Sequence, residues 1–280
     1  MVSVIIPVFN ESKVIADCLN SLKNQNYTDF ELIIIDDGST DDSKTKIKSF
    51  KPHSKNRLTI LVQEHKGPAT ARNYGASTAK GDIFVFVDAD MTFDRDFIKN
   101  LIWPIQNKDS KGTFTKEEYV SNWDNPIARA WNYNQGPKGK ERVPQNDPYQ
   151  GSVFRAILAS EFAKSGGFDD IGYTDDWSLS RKLGYKATLA PDAVCYHHNP
   201  DTFADVYNQA RWMGKNEFIS GNMIRKIYYL FYYSPLIQLP RSLYLALKYA
   251  QILIIPVIAL YSLGIQISIV KSIFGENKYK

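Results

Sequence analysis

The chain has two cysteines in 280 residues, Cys18 and Cys195, too few for a disulfide framework and in keeping with a reducing compartment. Strong charge of either sign is also missing. The formal net charge is +4, and Lys and Arg are scattered rather than gathered into one stripe. That distribution does not indicate a nucleic-acid partner, whereas mild basicity suits an anionic small molecule or an anionic membrane surface. The N-terminus enters the short apolar run 2–7 without a basic region or a long apolar core, so no secretory leader is expected. Internal repeats and low-complexity tracts are absent. The length permits one large domain, or one domain with an appendage, and the ordinary apolar content allows a substantial core.

Long apolar runs are scarce as well, with one exception. Residues 249–270 carry no charge and are long enough to cross about 30 Å of hydrocarbon as a helix. Pro256 is tolerable in such a segment, where neighbouring groups satisfy the freed carbonyl. The approach is basic and aromatic (Arg225, Lys226, Tyr228, Tyr229, Phe231, Tyr232, Tyr233, Arg241, Lys248), which suits the headgroup region. A pair of core helices is the alternative. Lys271, Lys278 and Lys280 follow the segment, so charge counting does not fix an orientation.

Before this tail, short apolar runs alternate with helical patterns. Strands are expected at 2–7, 32–35, 58–62 and 83–87, and helices at 12–24, 41–50 and 68–79. The order predicts an α/β fold with a mainly parallel sheet and right-handed crossovers. Residues 107–150 are polar, aromatic and rich in turns, and read as irregular structure over a crevice. Helix and strand signals resume at 154–163 and 186–189, and the pattern is helical again from Thr202. The one boundary drawn from sequence separates 1–226 from a helical, membrane-associated tail at 227–280.

Polar residues follow the expected strands: Asn10-Glu11, Asp36-Asp37-Gly38 and Asp88-Ala89-Asp90. Parallel strands bring their C-terminal ends to one crevice, where open α/β sheets bind ligands. A capped turn would account for Gly38 to Asp41 but not for two acids at a strand end; a carboxylate there can accept from a base or ribose. Asp88 and Asp90 project to the same side and could address one divalent cation carrying phosphate oxygens, although a solvated turn has the same sequence. Thr174-Asp175-Asp176-Trp177 follows a glycine-rich stretch. It reads either as a helix cap or as a helix start offering a carboxylate base to an acceptor hydroxyl. His197-His198 follow a strand pattern at 193–196; they are incidental, or one completes a metal shell. Arg211-Trp212 lie in a helical stretch, as a phosphate clamp with a stacking wall or as a surface Arg beside a packed Trp. Arg72-Asn73 carry the same ambiguity.

In order and spacing, five segments resemble the family 2 inverting glycosyltransferases of the GT-A fold. They are Ile5-Ile-Pro-Val-Phe-Asn10-Glu11, Ile35-Asp-Asp-Gly-Ser-Thr40-Asp41, Gly67-Pro-Ala-Thr-Ala-Arg72-Asn73 through Gly81-Asp82, Val87-Asp-Ala-Asp90, and Gly166-Gly-Phe-Asp169 followed by Asp175-Asp176. The resemblance covers most of residues 2–215. It implies that Pro7, Asn10, Glu11 and Asp37 hold the nucleoside, with Arg72 near the base or phosphates. It implies Asp88 at the ribose or the metal's water shell, Asp90 on Mg²⁺ or Mn²⁺, and His197 beside the metal or phosphate. The family's acidic pair, usually Glu-Asp, falls on Asp175-Asp176 and makes Asp176 the expected base. Processive members carry Gln-x-x-Arg-Trp, and Asn208 here replaces that Gln while Arg211 and Trp212 remain.

The expectation is a Rossmann-like GT-A enzyme with C-terminal membrane-associated helices. It would move a sugar from a UDP- or GDP-linked donor to a lipid-linked acceptor, polyprenyl or glycolipid, at the cytoplasmic face of the cell membrane, with inversion. The alternatives are a retaining GT-A enzyme and a non-catalytic nucleotide-sugar sensor. A flavodoxin-like phosphoacceptor domain would share the Asp-Asp strand end but need neither the second acidic site nor the tail.

Overall fold

The computed structural model describes residues 1–53, 57–143, 151–216 and 221–275. They form two compact units. The first takes the described residues within Met1–Tyr119, Gln145–Asp170 and Asp175–His197; the second takes those within Val120–Pro144, Ile171–Thr174 and His198–Lys280. The boundary drawn at 227 from sequence falls inside a helix of the second unit, Met223–Tyr232.

In the first unit, strands β1 (Val2–Val8), β2 (Phe30–Asp36), β3 (Arg57–Val62) and β4 (Ile83–Phe86) alternate with helices α1 (Ile15–Lys23), α2 (Ser43–Ser49) and α3 (Pro68–Thr78). β1 lies parallel between β2 and β4, with Val4 opposite Leu32 on one side and Val85 on the other. β3 extends the sheet parallel to β2. Further along come β5 (Met91–Phe93), α4 (Phe97–Gln106), β6 (Gly112–Phe114) and β7 (Glu118–Val120). After α5 (Pro126–Gln135), which belongs to the second unit, come β8 (Ala156–Leu158), α6 (Ala159–Ser165), a 3-10 turn at Asp175–Trp177, α7 (Ser178–Leu183), β9 (Thr188–Leu189) and β10 (Cys195–His197). The main sheet runs β3-β2-β1-β4-β8-β6-β9, and a small second sheet runs β5-β10-β7. β8 is antiparallel to both of its neighbours.

The uninterrupted apolar strands follow from cover on both faces. Val4, Ile6 and Val8 pack with Ile15, Cys18, Leu19 and Leu22 of α1 and with α4. Ile5, Ile33 and Ile35 face the opposite way, onto Ala69 and Ala71 of α3. The small residues of α3 allow a close approach. A Cβ on Gly75 would come within 2.6 Å of Ile35 Cδ1 and 2.7 Å of Ile5 Cγ2. The helix is therefore pinned against the sheet, with its N-terminus at the strands' C-terminal edge.

The second unit is helical. α5, α8 (Phe203–Met213) and the terminal helix Ile254–Ile273 share a core of Trp131, Val206, Ala210, Val257, Ile258, Tyr261 and Ile265. Two of these features depart from the sequence-based expectations. Residues 107–143 include a well-formed helix, α5, started by Asn125, whose side chain accepts from the amides of Ile127 and Ala128, and ended by Gly136 in the left-handed region; residues 144–150 of that stretch lie outside the described ones. The apolar tail is not one span from 249. Ala250 takes a positive φ of 50°, and the helix begins at Ile254. Pro256 consequently sits in its first turn, where no amide donor is needed.

Candidate active site

The C-terminal ends of β1, β2 and β4 place Asn10, Asp37 and Asp88 at one edge of the sheet, as parallel strand order requires. Asn10 has a φ of 57°, and its side-chain oxygen accepts from the amide of Thr40 at 2.8 Å. The amide of Glu11 donates to Ser43 Oγ at 2.8 Å, which ties the loop after β1 to α2. Pro7 is paired in β1 opposite Ile35.

Asp37 is buried, and its carboxylate organises the β3–α3 loop. Oδ1 accepts from Gln63 Nε2 at 2.6 Å and the Lys66 amide at 2.8 Å. Oδ2 accepts from the Gly67 amide at 2.9 Å and faces His65 Nδ1 at 2.9 Å. All four acceptor directions of a carboxylate are thus filled from within the chain. A nucleoside donor reaching Asp37 must replace one of them, and the His65 side chain is about one-third exposed. The His65 ring also stacks on Phe9, with centroids 3.8 Å apart.

Around Asp88 the chain builds a line of alternating charges. Arg72 Nη2 donates to one oxygen of Asp88 at 2.7 Å and Arg155 Nη1 to the other at 3.0 Å. Arg72 also reaches Asp175 Oδ2 at 3.1 Å, and Arg155 reaches Glu118 Oε1 at 3.4 Å. Burial alone would raise Asp88, but Arg72 and Arg155 overcome it and hold its carboxyl well below the usual range. Both guanidiniums are held above their ordinary values by these acids, against the effect of burial.

Asp175 and Asp176 respond in the opposite direction. Burial raises Asp175, and Arg72 only partly offsets it. Burial, followed by the adjacent Asp175, pushes Asp176 up to about 7. The glycine-rich loop before them is fixed by Asn73, which donates to the Phe168 carbonyl and accepts from the Phe168 amide, both at 2.8 Å. Arg72 and Asn73 on α3 therefore tie the acidic turn to the sheet edge.

His197 Nδ1 lies 3.9 Å from Asp90 Oδ1. That is too far for a hydrogen bond, and because adjacent ligands of an octahedral cation with bonds of about 2.1 Å lie about 3.0 Å apart, the two side chains would close by about 1 Å to share one. On its other side His197 Nε2 lies 3.1 Å from Glu118 Oε2, poorly aligned for a hydrogen bond. Nδ1 is the ring nitrogen on the Asp90 side, and a carboxylate beyond the other ring nitrogen is a common support for a metal-bound imidazole. The donor set thus fits a divalent cation at Asp90 and His197. Glu118, Cys195 and His197 also bring ligand atoms within 4.8 Å of one another. The guanidinium of Arg155 against Glu118 opposes a second cation there.

The structure brings together Asn10, Asp37, Arg72, Asp88, Asp90, Asp175, Asp176 and His197 in the first unit. Arg211 and Trp212 lie on α8 in the second, where Arg211 Nε donates to Ser268 Oγ at 3.2 Å. Sequence reasoning missed Arg155, Glu118, Gln63 and His65. Arg155 lies just before the short strand β8 and Glu118 opens the short strand β7, neither at the end of a long apolar run. Arg155 neighbours Asp88 because β8 runs antiparallel to β4, and its carbonyl accepts from the Phe86 amide at 2.9 Å.

The model of the glycosyl transferase family 2 matches residues 3–164, more than half of the chain. The chain belongs to that family. Glycosyltransferase GlyG of Streptococcus pneumoniae is 37% identical over 111 residues, which cover 39% of this chain and 36% of the relative. The poly-β-1,6-N-acetyl-D-glucosamine synthase of Staphylococcus aureus is 25% identical over 221 residues, 75% of this chain and 53% of the synthase. The chain thus spans 36% and 53% of the length of these two curated relatives. Among solved structures, the mannosyltransferase PcManGT of Pyrobaculum calidifontis, in complex with GDP-Man and Mn²⁺, superposes with a TM-score of 0.63 at 21% identity, over 98% of this chain and 87% of its own. S. aureus TarS 1–349 in complex with UDP-GlcNAc gives 0.59 at 17% identity, over 98% and 92%. These likenesses establish a GT-A-like α/β fold.

Proposed function

We propose that this family 2 protein is a metal-dependent, inverting glycosyltransferase that moves a sugar from a UDP- or GDP-linked donor to a lipid-linked acceptor, polyprenyl or glycolipid. Its catalytic unit would work at the cytoplasmic face of the cell membrane. The observation that carries the reaction is the contrast within the acidic pair. Asp175 is tied to Arg72 at 3.1 Å, whereas Asp176 is left half-buried with its pKa raised to about 7. A carboxylate near neutrality is suited to take a proton from an acceptor hydroxyl and to release it again.

Asn10, Glu11, Pro7 and the Asp37-organised loop would bound the nucleoside. Arg72 and Arg155 supply positive charge at the sheet edge, with Asp88 keeping both in place. A divalent cation, Mg²⁺ or Mn²⁺, held by Asp90 and His197 would supply counter-charge for the departing nucleoside diphosphate. Asp176 would remove the hydroxyl proton as the acceptor oxygen attacks the anomeric carbon from the face opposite the diphosphate, which inverts the configuration. Holding donor and acceptor in line lowers the barrier further. Mannosyl and N-acetylglucosaminyl donors, bound by the two structural neighbours, are the first to test. The apolar tail motivates the lipid acceptor.

Asp176→Asn should slow transfer by about 10²–10⁴-fold while leaving stabilisation by nucleotide sugar with Mn²⁺ nearly intact in a thermal-shift assay. Turnover like that of the unsubstituted chain would reject Asp176 as the base. The anomeric configuration of the product, read by NMR, separates inversion from retention.

A further inference from the structure

The helices Met223–Tyr232 and Pro235–Lys248 of the second unit are built inside out. An amphipathic helix in water buries its apolar stripe and exposes its polar face. The first of these buries Lys226, whose Nζ donates to the Ser272 carbonyl at 3.0 Å, while Ile224 is 81% exposed, and Ile227 and Phe231 are also exposed. The second buries Gln238, Ser242 and Ala246, at i, i+4 and i+8. Its exposed stripe holds Leu236 at 79% and Leu247 at 84%, with Leu243 between them. In the first unit no large apolar side chain among the described residues exceeds the 54% of Trp103. An apolar surface of this kind needs a partner that is not water.

Charge indicates which partner. Residues 221–275 contain no Asp or Glu, but do contain Arg225, Lys226, Arg241, Lys248 and Lys271. Arg225, Lys248 and Lys271 are exposed. Lys248 Nζ lies over the rings of Tyr244 and Tyr249, at 5.6 and 5.2 Å, an aromatic and cationic pairing suited to the headgroup layer. Apolar stripes flanked by Tyr and Lys with no acidic residue are complementary to an anionic bilayer.

The terminal helix is long and apolar enough to span, yet half of its most apolar window is buried inside the unit. It packs against α8, which carries Asp205, Asn208 and Arg211. The approach is close: a Cβ on Gly264 would sit 2.7 Å from Ala210 Cβ. A spanning orientation would draw this polar helix into hydrocarbon at high cost.

We propose that the chain docks on an anionic bilayer as a monotopic protein through the outward stripes of Met223–Tyr232 and Pro235–Lys248, with Ile254–Ile273 as an internal strut that does not cross. This mode rests on the membrane association proposed above, but it does not depend on the reaction. The full chain should float with phosphatidylcholine vesicles containing phosphatidylglycerol and float less with phosphatidylcholine alone. Each of Ile224→Glu and Leu247→Glu should lower partitioning about tenfold or more, since a buried Leu or Ile contributes that much. These side chains are exposed, so circular dichroism should be unchanged. In inside-out membrane vesicles, Ile252→Cys and Phe274→Cys, at the two ends of the terminal helix, should both react with a membrane-impermeant maleimide. Protection of one until detergent is added would mean a spanning helix and would overturn the proposal. Flotation indifferent to the Glu substitutions, with light scattering showing a dimer that they dissociate, would assign the stripe to a second copy and overturn it too. Both readouts are independent of turnover, so failure of sugar transfer would bear on the proposed reaction and leave docking intact.

Discussion

Arg72 divides the work between two neighbouring carboxylates. Its guanidinium faces both Asp88 and Asp175, and for Asp176 burial and the like-charged Asp175 outweigh the opposing pull of Arg72 and Arg155. The effect on stability has a definite sign. Asp176 is raised from 3.8 to about 7, so the folded chain holds this proton more tightly than the unfolded chain does. The resulting stabilisation is full below the unfolded value and is lost as pH rises through the folded one. Asp176→Asn removes this dependence. The melting temperature of the Asn variant relative to the unsubstituted chain should therefore rise between about pH 4 and about pH 8. A difference that stays constant over that window would mean the carboxyl is not perturbed. The acids of the site were legible in the sequence because strand ends announce themselves by an abrupt change from apolar to charged residues. Arg155 and Glu118 were not, because their place beside Asp88 and His197 is set by strand pairing across the sheet.

At the scale of elements, the β3–α3 loop shows how a strand end shapes a binding edge. Asp37 gathers the donors of residues 63 to 67, and Gly67 sits at the head of α3 with φ 89° and ψ 165°. That conformation is open essentially to glycine alone. Gly67→Ala should therefore cost about 1–3 kcal/mol by urea denaturation, with faster amide exchange at Lys66 and Gly67, whose N–H groups Asp37 holds. Unchanged exchange there would mean that the loop tolerates the strain. The parallel strands and their helices were readable from periodicity to within a few residues. α5 was not, although Asn125, Pro126 and Gly136 supply a cap, a first-turn proline and a left-handed stop. Its run Asn132-Tyr133-Asn134 resembles loop composition, yet both Asn side chains are buried and Trp131 packs against Tyr261, with centroids 5.5 Å apart.

For the whole molecule, chain order and structural order diverge. Residues 120–143 join the C-terminal helices, with Tyr133 stacked on Tyr249 at a centroid distance of 4.0 Å. A cut at the sequence boundary near 227 would remove the helix that completes their core. The exposed leucines of 236–247 have the same spacing as a core stripe, so only the buried Gln238 and Ser242 beside them reveal that the pattern is inverted. Gly264 tests this architecture with a single methyl group. In a helix, Gly→Ala ordinarily stabilises by about 0.4–1 kcal/mol. Here the added Cβ would lie 2.7 Å from Ala210 Cβ and 2.9 Å from the Tyr207 carbonyl oxygen, and two backbones cannot both give way. Overpacking costs about 1–3 kcal/mol and outweighs the helical gain. Gly264→Ala should thus destabilise the second unit, with hydrogen exchange accelerating in Phe203–Met213 and Ile254–Ile273 while protection in β1, β2 and β4 is unchanged. If exchange instead slowed in the two helices, the close packing of the strut on α8 would be wrong, and with it the case against a spanning helix.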